Sequence, residues 1–176
     1  FGYLKSMLVV NVVFTILLSW FFYYLLSKFK IKSPLILSTV FLFLPRFLVV
    51  RSVGAPESMF ILFILMSIYF FDKQKYLLSG IFGGLSVMTK TPGIILFGAY
   101  FIILLINYIK TKKINLNYLW LLLIPLSLFS VFLFYFFKYG DFFVYFHTGG
   151  VVPMPYPFSV FNFQKEWVGT AWLDDL

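Results

Sequence analysis

The chain has 176 residues, of which 62% are hydrophobic and only 11% are charged, and its formal net charge is +8. A soluble domain of this length cannot bury so much apolar surface, so the composition excludes an ordinary soluble fold. In a membrane protein the position of positive charge matters more than its sum, so the net charge does not indicate nucleic-acid binding. Without cysteine, neither a disulfide framework nor a thiolate metal site can form.

Six apolar segments follow one another along the chain. The first is long enough, at about 1.5 Å per residue, to cross a hydrocarbon core of about 30 Å, and "SKFKIKS" ends it. Pro34 suits the first turn of the second helix, and "DKQK", "KTPG" and "KTKKINLN" separate later ones. The pattern predicts an all-α fold, a polytopic transmembrane helical bundle with about six membrane helices, of which the fourth is short. The predicted helices cover residues 4–26, 34 to about 46 or a little beyond, 56–71, 76–89, 92–109 and 118–137.

We expect two regions. Residues 1–138 form the transmembrane helical domain, and residues 139–176, which are polar, aromatic and rich in Gly and Pro, form an extracytoplasmic loop region. Phe158, Phe161 and Trp167 recur at roughly helical spacing, which is typical of a helix lying at the membrane surface. Because the first residue is not Met, we interpret the chain as a truncated interior piece of a longer protein.

The lysines divide unequally between the two sides of the predicted bundle. The loops after the first, third and fifth helices hold eight lysines and one acid, whereas the other side holds six cations and five acids. By the positive-inside rule the lysine-rich loops are cytoplasmic. The eight lysines are Lys28, Lys30, Lys32, Lys73, Lys75, Lys110, Lys112 and Lys113.

The other, extracytoplasmic side holds three helix breaks that carry polar groups, "PRFLVVRSVGAPES", "TKTPG" and "KYGDFFVYFHTGG". Broken helices are tolerated at membrane depth where they line a cavity, and ionisable residues there are functional candidates. Arg46 and Arg51, the only arginines, offer planar forks suited to phosphate or carboxylate. Alternatively, both reach up to lipid headgroups, or one pairs with Glu57.

Four further residues in these breaks are candidates. Glu57 is favoured by the dipole of a first helical turn, or it hydrogen-bonds a ligand hydroxyl or an arginine. Lys90 beside a helix N-terminus forms an anion site, while Thr91 is readily explained as the N-cap before Pro92. His147, the only histidine, is an acid or base, a donor to substrate, or an interfacial residue, and alone it indicates no metal.

Gly80, Gly83 and Gly84 lie in "SGIFGGLS" and include a Gly-x-x-x-Gly spacing. Small residues at this spacing let two helix backbones approach closely in a membrane. The pattern therefore predicts helix packing at these glycines and no binding site.

Residues 43–97, about a third of the chain, resemble a known superfamily. They read "P-R-x(4)-R-S-V-G-A-P-E-S-M-F", then "DKQKY", then "LLSGIFGGLSVMTKTPGIILF". This order is similar to polytopic GT-C glycosyltransferases that use lipid-linked sugars, above all mannosyltransferases of the GPI-anchor and protein O-mannosylation type and their prokaryotic relatives. The superfamily's G-x-x-x-G-L-x-x-x-T-[RK]-x-x-G motif is matched by Gly80, Gly84, Leu85, Thr89, Lys90 and Gly93.

The resemblance implies a multi-pass enzyme that takes a sugar from a polyprenyl- or dolichyl-phosphate carrier to an acceptor hydroxyl. The active face is extracytoplasmic, on the cell membrane or, in a eukaryote, the ER membrane. It implies phosphate contacts from loops like those of Arg46, Arg51 and Lys90, where relatives often have Arg in place of Lys90. The catalytic carboxylate is expected upstream of Phe1.

The expected partners are the lipid-linked donor, an acceptor glycan, lipid or protein, and membrane lipids, without nucleic acid. No cofactor is predicted, and metal dependence stays open. Two other functions are consistent with the composition. A secondary transporter of an anionic solute also has broken helices but predicts inverted repeats, which we do not find in the sequence. A non-catalytic membrane assembly subunit needs no convergent charges.

Overall fold

The computed structural model describes residues 2–45, 55–112 and 115–144. In this part of the chain all regular secondary structure is helical, which confirms the predicted all-α class. Six α-helices and two 3₁₀ helices follow one another within these residues. They are α1 Tyr3–Lys28, α2 Pro34–Leu42, α3 Glu57–Asp72, α4 Tyr76–Thr89, the 3₁₀ helix η1 Thr91–Ile94, α5 Ile95–Thr111, the 3₁₀ helix η2 Leu116–Leu122 and α6 Leu123–Tyr139.

Three helical segments are long and apolar enough to cross a membrane, namely Lys5–Lys28, Thr91–Thr111 and Leu116–Tyr139. Their mean hydropathies are 2.0, 2.1 and 2.3. By contrast, the 14 residues of α4 extend about 21 Å, less than a hydrocarbon core of about 30 Å. The described residues are thus compatible with a membrane protein that has three candidate spans, and the count of about six stays a prediction.

The second helix is shorter than its sequence suggests, because α2 ends at Leu42 and not near residue 46. Pro45 explains this difference. Proline has no N–H to donate to the carbonyl four residues earlier, and its ring disfavours an α conformation in the residue before it.

The fold is built around a hairpin of α3 and α4, with α1 lying against α3. The turn at residues 73–75 reverses the chain, and Gln74 adopts the left-handed conformation there, with φ 56°. Leu18, Phe21 and Leu62 form the buried core between α1 and α3. The helices give the hairpin two ends. The lysine end is where α1 and α3 finish and α4 begins. The break end is where α3 begins and α4 finishes.

The three glycines of α4 pack closely against the η2–α6 segment, which confirms the interpretation of their spacing as helix packing. A Cβ atom built on Gly80 would lie 2.2 Å from the carbonyl oxygen of Trp120. On Gly83 it would lie 2.6 Å from the Cδ1 of Ile124, and Gly84 is similarly crowded. At Gly80 the contact is with backbone, so α4 approaches the η2–α6 segment at backbone distance there, whereas at Gly83 and Gly84 the closest contacts are with side chains.

Buried serine and tyrosine side chains also link α3 to α4 and to α5 by hydrogen bonds. Ser67 Oγ in α3 donates to the carbonyl oxygen of Ser79 at 2.8 Å and lies 2.8 Å from the hydroxyl of Tyr100. All three residues are buried. In an apolar environment such small hydroxyl side chains hold helices together without exposing unpaired polar groups.

The chain divides into two compact units, Phe1–Phe132 and Leu133–Leu176. The described residues of the second unit end at 144. Among them, the Lys138 ammonium lies 5.4 Å from the centroid of the Tyr139 ring. The predicted surface helix near residues 158–167 lies outside the described residues.

Candidate functional site

The candidate site begins at the break that follows α4. Lys90 has an extended backbone, with φ −147° and ψ 128°. Its N–H donates to the carbonyl oxygen of Ser86 at 2.9 Å, and its own carbonyl accepts the N–H of Gly93 at 3.0 Å. Lys90 is thus the N-cap residue of η1, and Thr91, predicted as the N-cap, is the first residue of the 3₁₀ helix. Pro92 suits this turn because it has no N–H to satisfy.

Gly93 fixes the direction in which the break leaves α4. A Cβ atom at this position would lie 2.7 Å from Ser86 Oγ and 2.8 Å from the backbone nitrogen of Val87. Real Cβ atoms essentially never approach other atoms this closely, so η1 can lie against α4 only with glycine here. This close approach determines where the Lys90 side chain emerges.

Lys90 forms an ion pair with Glu57, the first residue of α3. The pair links the start of α3 to the residue that follows α4, at the break end. The Lys90 side chain is 35% exposed and the Glu57 side chain is 27% exposed. Lys90 Nζ donates to Glu57 Oε1. The other carboxylate oxygen, Oε2, is buried and makes no hydrogen bond with any residue that the structure describes.

A pocket of about 410 Å³ lies beside this pair, between α1 and the beginning of α3. Met59, one of its lining residues, has its sulfur 3.7 Å from the hydroxyl of Thr89, the residue before Lys90. The pocket and the ion pair are therefore neighbours. Apolar surface predominates in the lining, as in most small-molecule sites. The lining residues are Ser6, Met7, Val10, Asn11, Phe14, Ala55, Pro56 and Met59.

A row of polar side chains on α1 faces the beginning of α3, and the sequence reasoning did not single it out. Asn11 is 5% exposed and lines the pocket. One turn later, Thr15 Oγ1 lies 2.9 Å from Ser58 Oγ, directly after Glu57. The spacing of Asn11 and Thr15 in an apolar helix was the available signal, because residues four apart share one helix face.

The predicted site residues are only partly brought together. Glu57 and Lys90 are in contact, and Thr91 follows Lys90 at the start of η1. Arg46, Arg51 and His147 lie outside the described residues. Among the described residues, no three His, Asp or Glu side chains gather as a metal site would require.

This arrangement can hold a negatively charged group next to an apolar one. The Lys90 ammonium has three N–H donors, and Glu57 uses one of them. Two donors can therefore point to an oxyanion, while the pocket accepts apolar atoms. No family model, no curated protein and no solved structure matches the chain.

Proposed function

We propose that the chain belongs to an integral membrane glycosyltransferase of the mannosyltransferase type. It transfers a sugar from a polyprenyl- or dolichyl-phosphate carrier to an acceptor hydroxyl on the extracytoplasmic face of the cell membrane, or of the ER membrane in a eukaryote. The observation that carries the proposal is the Glu57–Lys90 pair at a helix break, beside a largely apolar pocket. The motif resemblance across residues 43–97 adds the substrate class.

Charge development on the leaving group gives Lys90 its role. A lipid-linked sugar phosphate is a diester with one negative charge, and the lipid phosphate that departs gains a second. A cation at this position therefore attracts the transition state more strongly than the bound donor, which is the condition for catalysis. The two N–H donors that Glu57 does not use suit two phosphate oxygens.

The pocket suits the part of the carrier next to its phosphate. Met7, Val10, Phe14 and Met59 give it apolar walls, which match an isoprenoid chain. The buried amide of Asn11 lies among them. A donor with its chain along these walls would have its phosphate near the break end, within reach of the Lys90 ammonium.

The chemical step is a substitution at the anomeric carbon. A carboxylate, expected upstream of Phe1, takes the proton of the acceptor hydroxyl. The hydroxyl oxygen bonds to the anomeric carbon, the bond from that carbon to the phosphate oxygen breaks, and its electron pair leaves with the lipid phosphate. Arg46 or Arg51 adds positive charge at the same phosphate.

The proposal is tested with the intact protein in nanodiscs, a radiolabelled polyprenyl-phosphate mannose and a membrane extract as the source of acceptor. We expect Lys90→Ala to lower sugar transfer by about 100-fold, the effect of removing one transition-state donor. Arg46→Ala or Arg51→Ala should lower it as well. Lys110→Ala, a lysine in the last turn of α5, is the matched control and should leave transfer unchanged.

Two results would decide against the proposal. If transfer occurs and none of the three substitutions lowers it, these cations do not hold the phosphate. If the protein in sealed vesicles moves an anionic solute and transfers no sugar, it is a transporter.

A further inference from the structure

A second cluster of polar side chains lies at the lysine end, and the glycosyl-transfer proposal does not use it. The hydroxyls of Tyr24 and Tyr69 are 3.2 Å apart. The Lys28 ammonium lies 4.1 Å from the centroid of the Tyr69 ring. Lys73 lies one turn after Tyr69, and its N–H donates to the Tyr69 carbonyl oxygen at 3.1 Å. Two tyrosine hydroxyls and two lysine residues thus lie together where α1 and α3 end.

This cluster is far from the candidate active site. Tyr69 follows Glu57 by twelve residues in the same helix, which is about 18 Å at 1.5 Å per residue. A ligand phosphate at the lysine end therefore cannot be the one beside Lys90. The two clusters also lie on opposite sides of the predicted bundle, so any ligand here binds on the predicted cytoplasmic side.

The local charge favours an anion. Lys28 lies in the last turn of α1 and Lys73 follows the last residue of α3, positions where a helix dipole stabilises a cation. The two helix ends together carry about one negative charge and Asp72 carries another. Lys28 and Lys73 balance these two, and Lys30, Lys32 and Lys75 in the adjoining turns leave the lysine end positive. Asp72, the acid of the turn, forms no ion pair with either lysine in the described part of the chain.

An apolar surface adjoins these charged groups. Trp20 stacks on Tyr24 with 6.4 Å between ring centroids and is 65% exposed. Phe21 packs edge-on against Tyr69 at 5.7 Å. Membrane proteins place tyrosine and tryptophan side chains of this kind, next to cationic residues, at the bilayer interface. This arrangement matches a ligand that has a phosphate at one end and hydrocarbon at the other.

We propose that Tyr24, Lys28, Tyr69 and Lys73 bind the phosphate of an anionic membrane lipid, with an acyl chain along Trp20. The tyrosine hydroxyls donate to the phosphate oxygens, and the ammonium groups supply charge-assisted hydrogen bonds. Inorganic phosphate shares the headgroup chemistry but has no chain to cover the indole. This site is independent of the proposed catalytic reaction.

The test is a native mass spectrometry titration of the intact protein in neutral detergent. The ligands are phosphatidylglycerol, phosphatidylcholine with the same chains, and inorganic phosphate in a separate arm. The double variant Lys28→Gln/Lys73→Gln should weaken phosphatidylglycerol binding by about 25-fold, at about fivefold for each lysine. Lys110→Gln/Lys112→Gln removes the same charge elsewhere and should change it less than twofold.

Tyr24→Phe keeps the ring and removes one hydroxyl, so it tests the site without loss of packing. We expect about threefold weaker phosphatidylglycerol binding and unchanged phosphatidylcholine binding. Equal affinity of the wild-type protein for the two lipids would overturn the proposal. Equal loss in the two lysine double variants would assign the effect to general surface charge, and phosphate binding as tight as lipid binding would exclude a lipid site.

Discussion

The close approach of α4 to the η2–α6 segment makes Gly80→Ala a sharp test of the packing. The added Cβ would lie 2.2 Å from the carbonyl oxygen of Trp120 and 3.0 Å from its carbonyl carbon. Both are backbone atoms, so no side-chain rotation can relieve the contact. Either α4 or the second 3₁₀ helix must move by about an ångström, which also disturbs the neighbouring Gly83 contact with Ile124.

Two opposing terms set the expected magnitude. Overpacking of a well-packed interior costs about 1–3 kcal/mol, and contact with backbone puts this substitution at the upper end. Replacing glycine by alanine inside a helix raises the free energy of unfolding by about 0.5–1 kcal/mol. Gly80→Ala should therefore lower the free energy of unfolding by about 2 kcal/mol. Gly98→Ala in α5, where no atom lies within 4 Å of the added Cβ, should raise it by about 0.5–1 kcal/mol.

The two variants are compared in one reversible unfolding titration, with detergent-solubilised protein and increasing sodium dodecyl sulfate. Helicity by circular dichroism reports the transition, and gel filtration confirms that each variant starts monodisperse. The predicted difference between them is about 3 kcal/mol. If Gly80→Ala and Gly98→Ala change stability in the same direction by similar amounts, α4 does not pack at backbone distance and the reasoning fails.

Three further predictions concern the hydrogen bonds of Ser67 and the Glu57–Lys90 pair. Ser67→Ala removes the hydrogen bonds to the Ser79 carbonyl and the Tyr100 hydroxyl, and should lower the free energy of unfolding by about 1 kcal/mol in the same titration; no change would contradict the buried network. A double-mutant cycle of Glu57→Gln and Lys90→Met should give a coupling of about 1 kcal/mol, because the pair is partly exposed, and additive effects would argue against the ion pair. Glu57→Gln also removes a negative charge beside the proposed phosphate, so KM for the lipid-linked donor should fall. Lys90→Gln removes a positive charge there and should raise KM. A rise of KM in both variants would refute the charge argument.

Much of the helical framework could be predicted from sequence because its signals are local. The predicted limits of residues 76–89 agree with α4, Tyr76–Thr89, since charged residues precede it and Pro92 interrupts the pattern after it. The geometry of that interruption could not be predicted. It depends on contact of Gly93 with Ser86, and whether a glycine is needed for space is decided only by the neighbouring helix.

The sequence indicates individual residues of the candidate site but not which of them are in contact. Glu57 had a sufficient local explanation in the helix dipole, and Lys90 was a candidate anion site because of its place beside a helix N-terminus. They are 33 positions apart, and only the register of the α3–α4 hairpin brings them into contact. The contact of Thr15 with Ser58 could not be predicted for the same reason, because the spacing of polar residues in α1 marks a helix face but does not identify the partner on another helix.

The ion pair limits what Lys90 can do alone. Together, Glu57 and Lys90 carry no net charge, so a phosphate bound at this position gains directed hydrogen bonds but little long-range attraction. A second cation must supply that attraction if the proposed reaction is correct. We propose Arg51, the arginine nearer in sequence to Ala55, as this cation, and the transfer assay should find Arg51→Ala at least as damaging as Lys90→Ala.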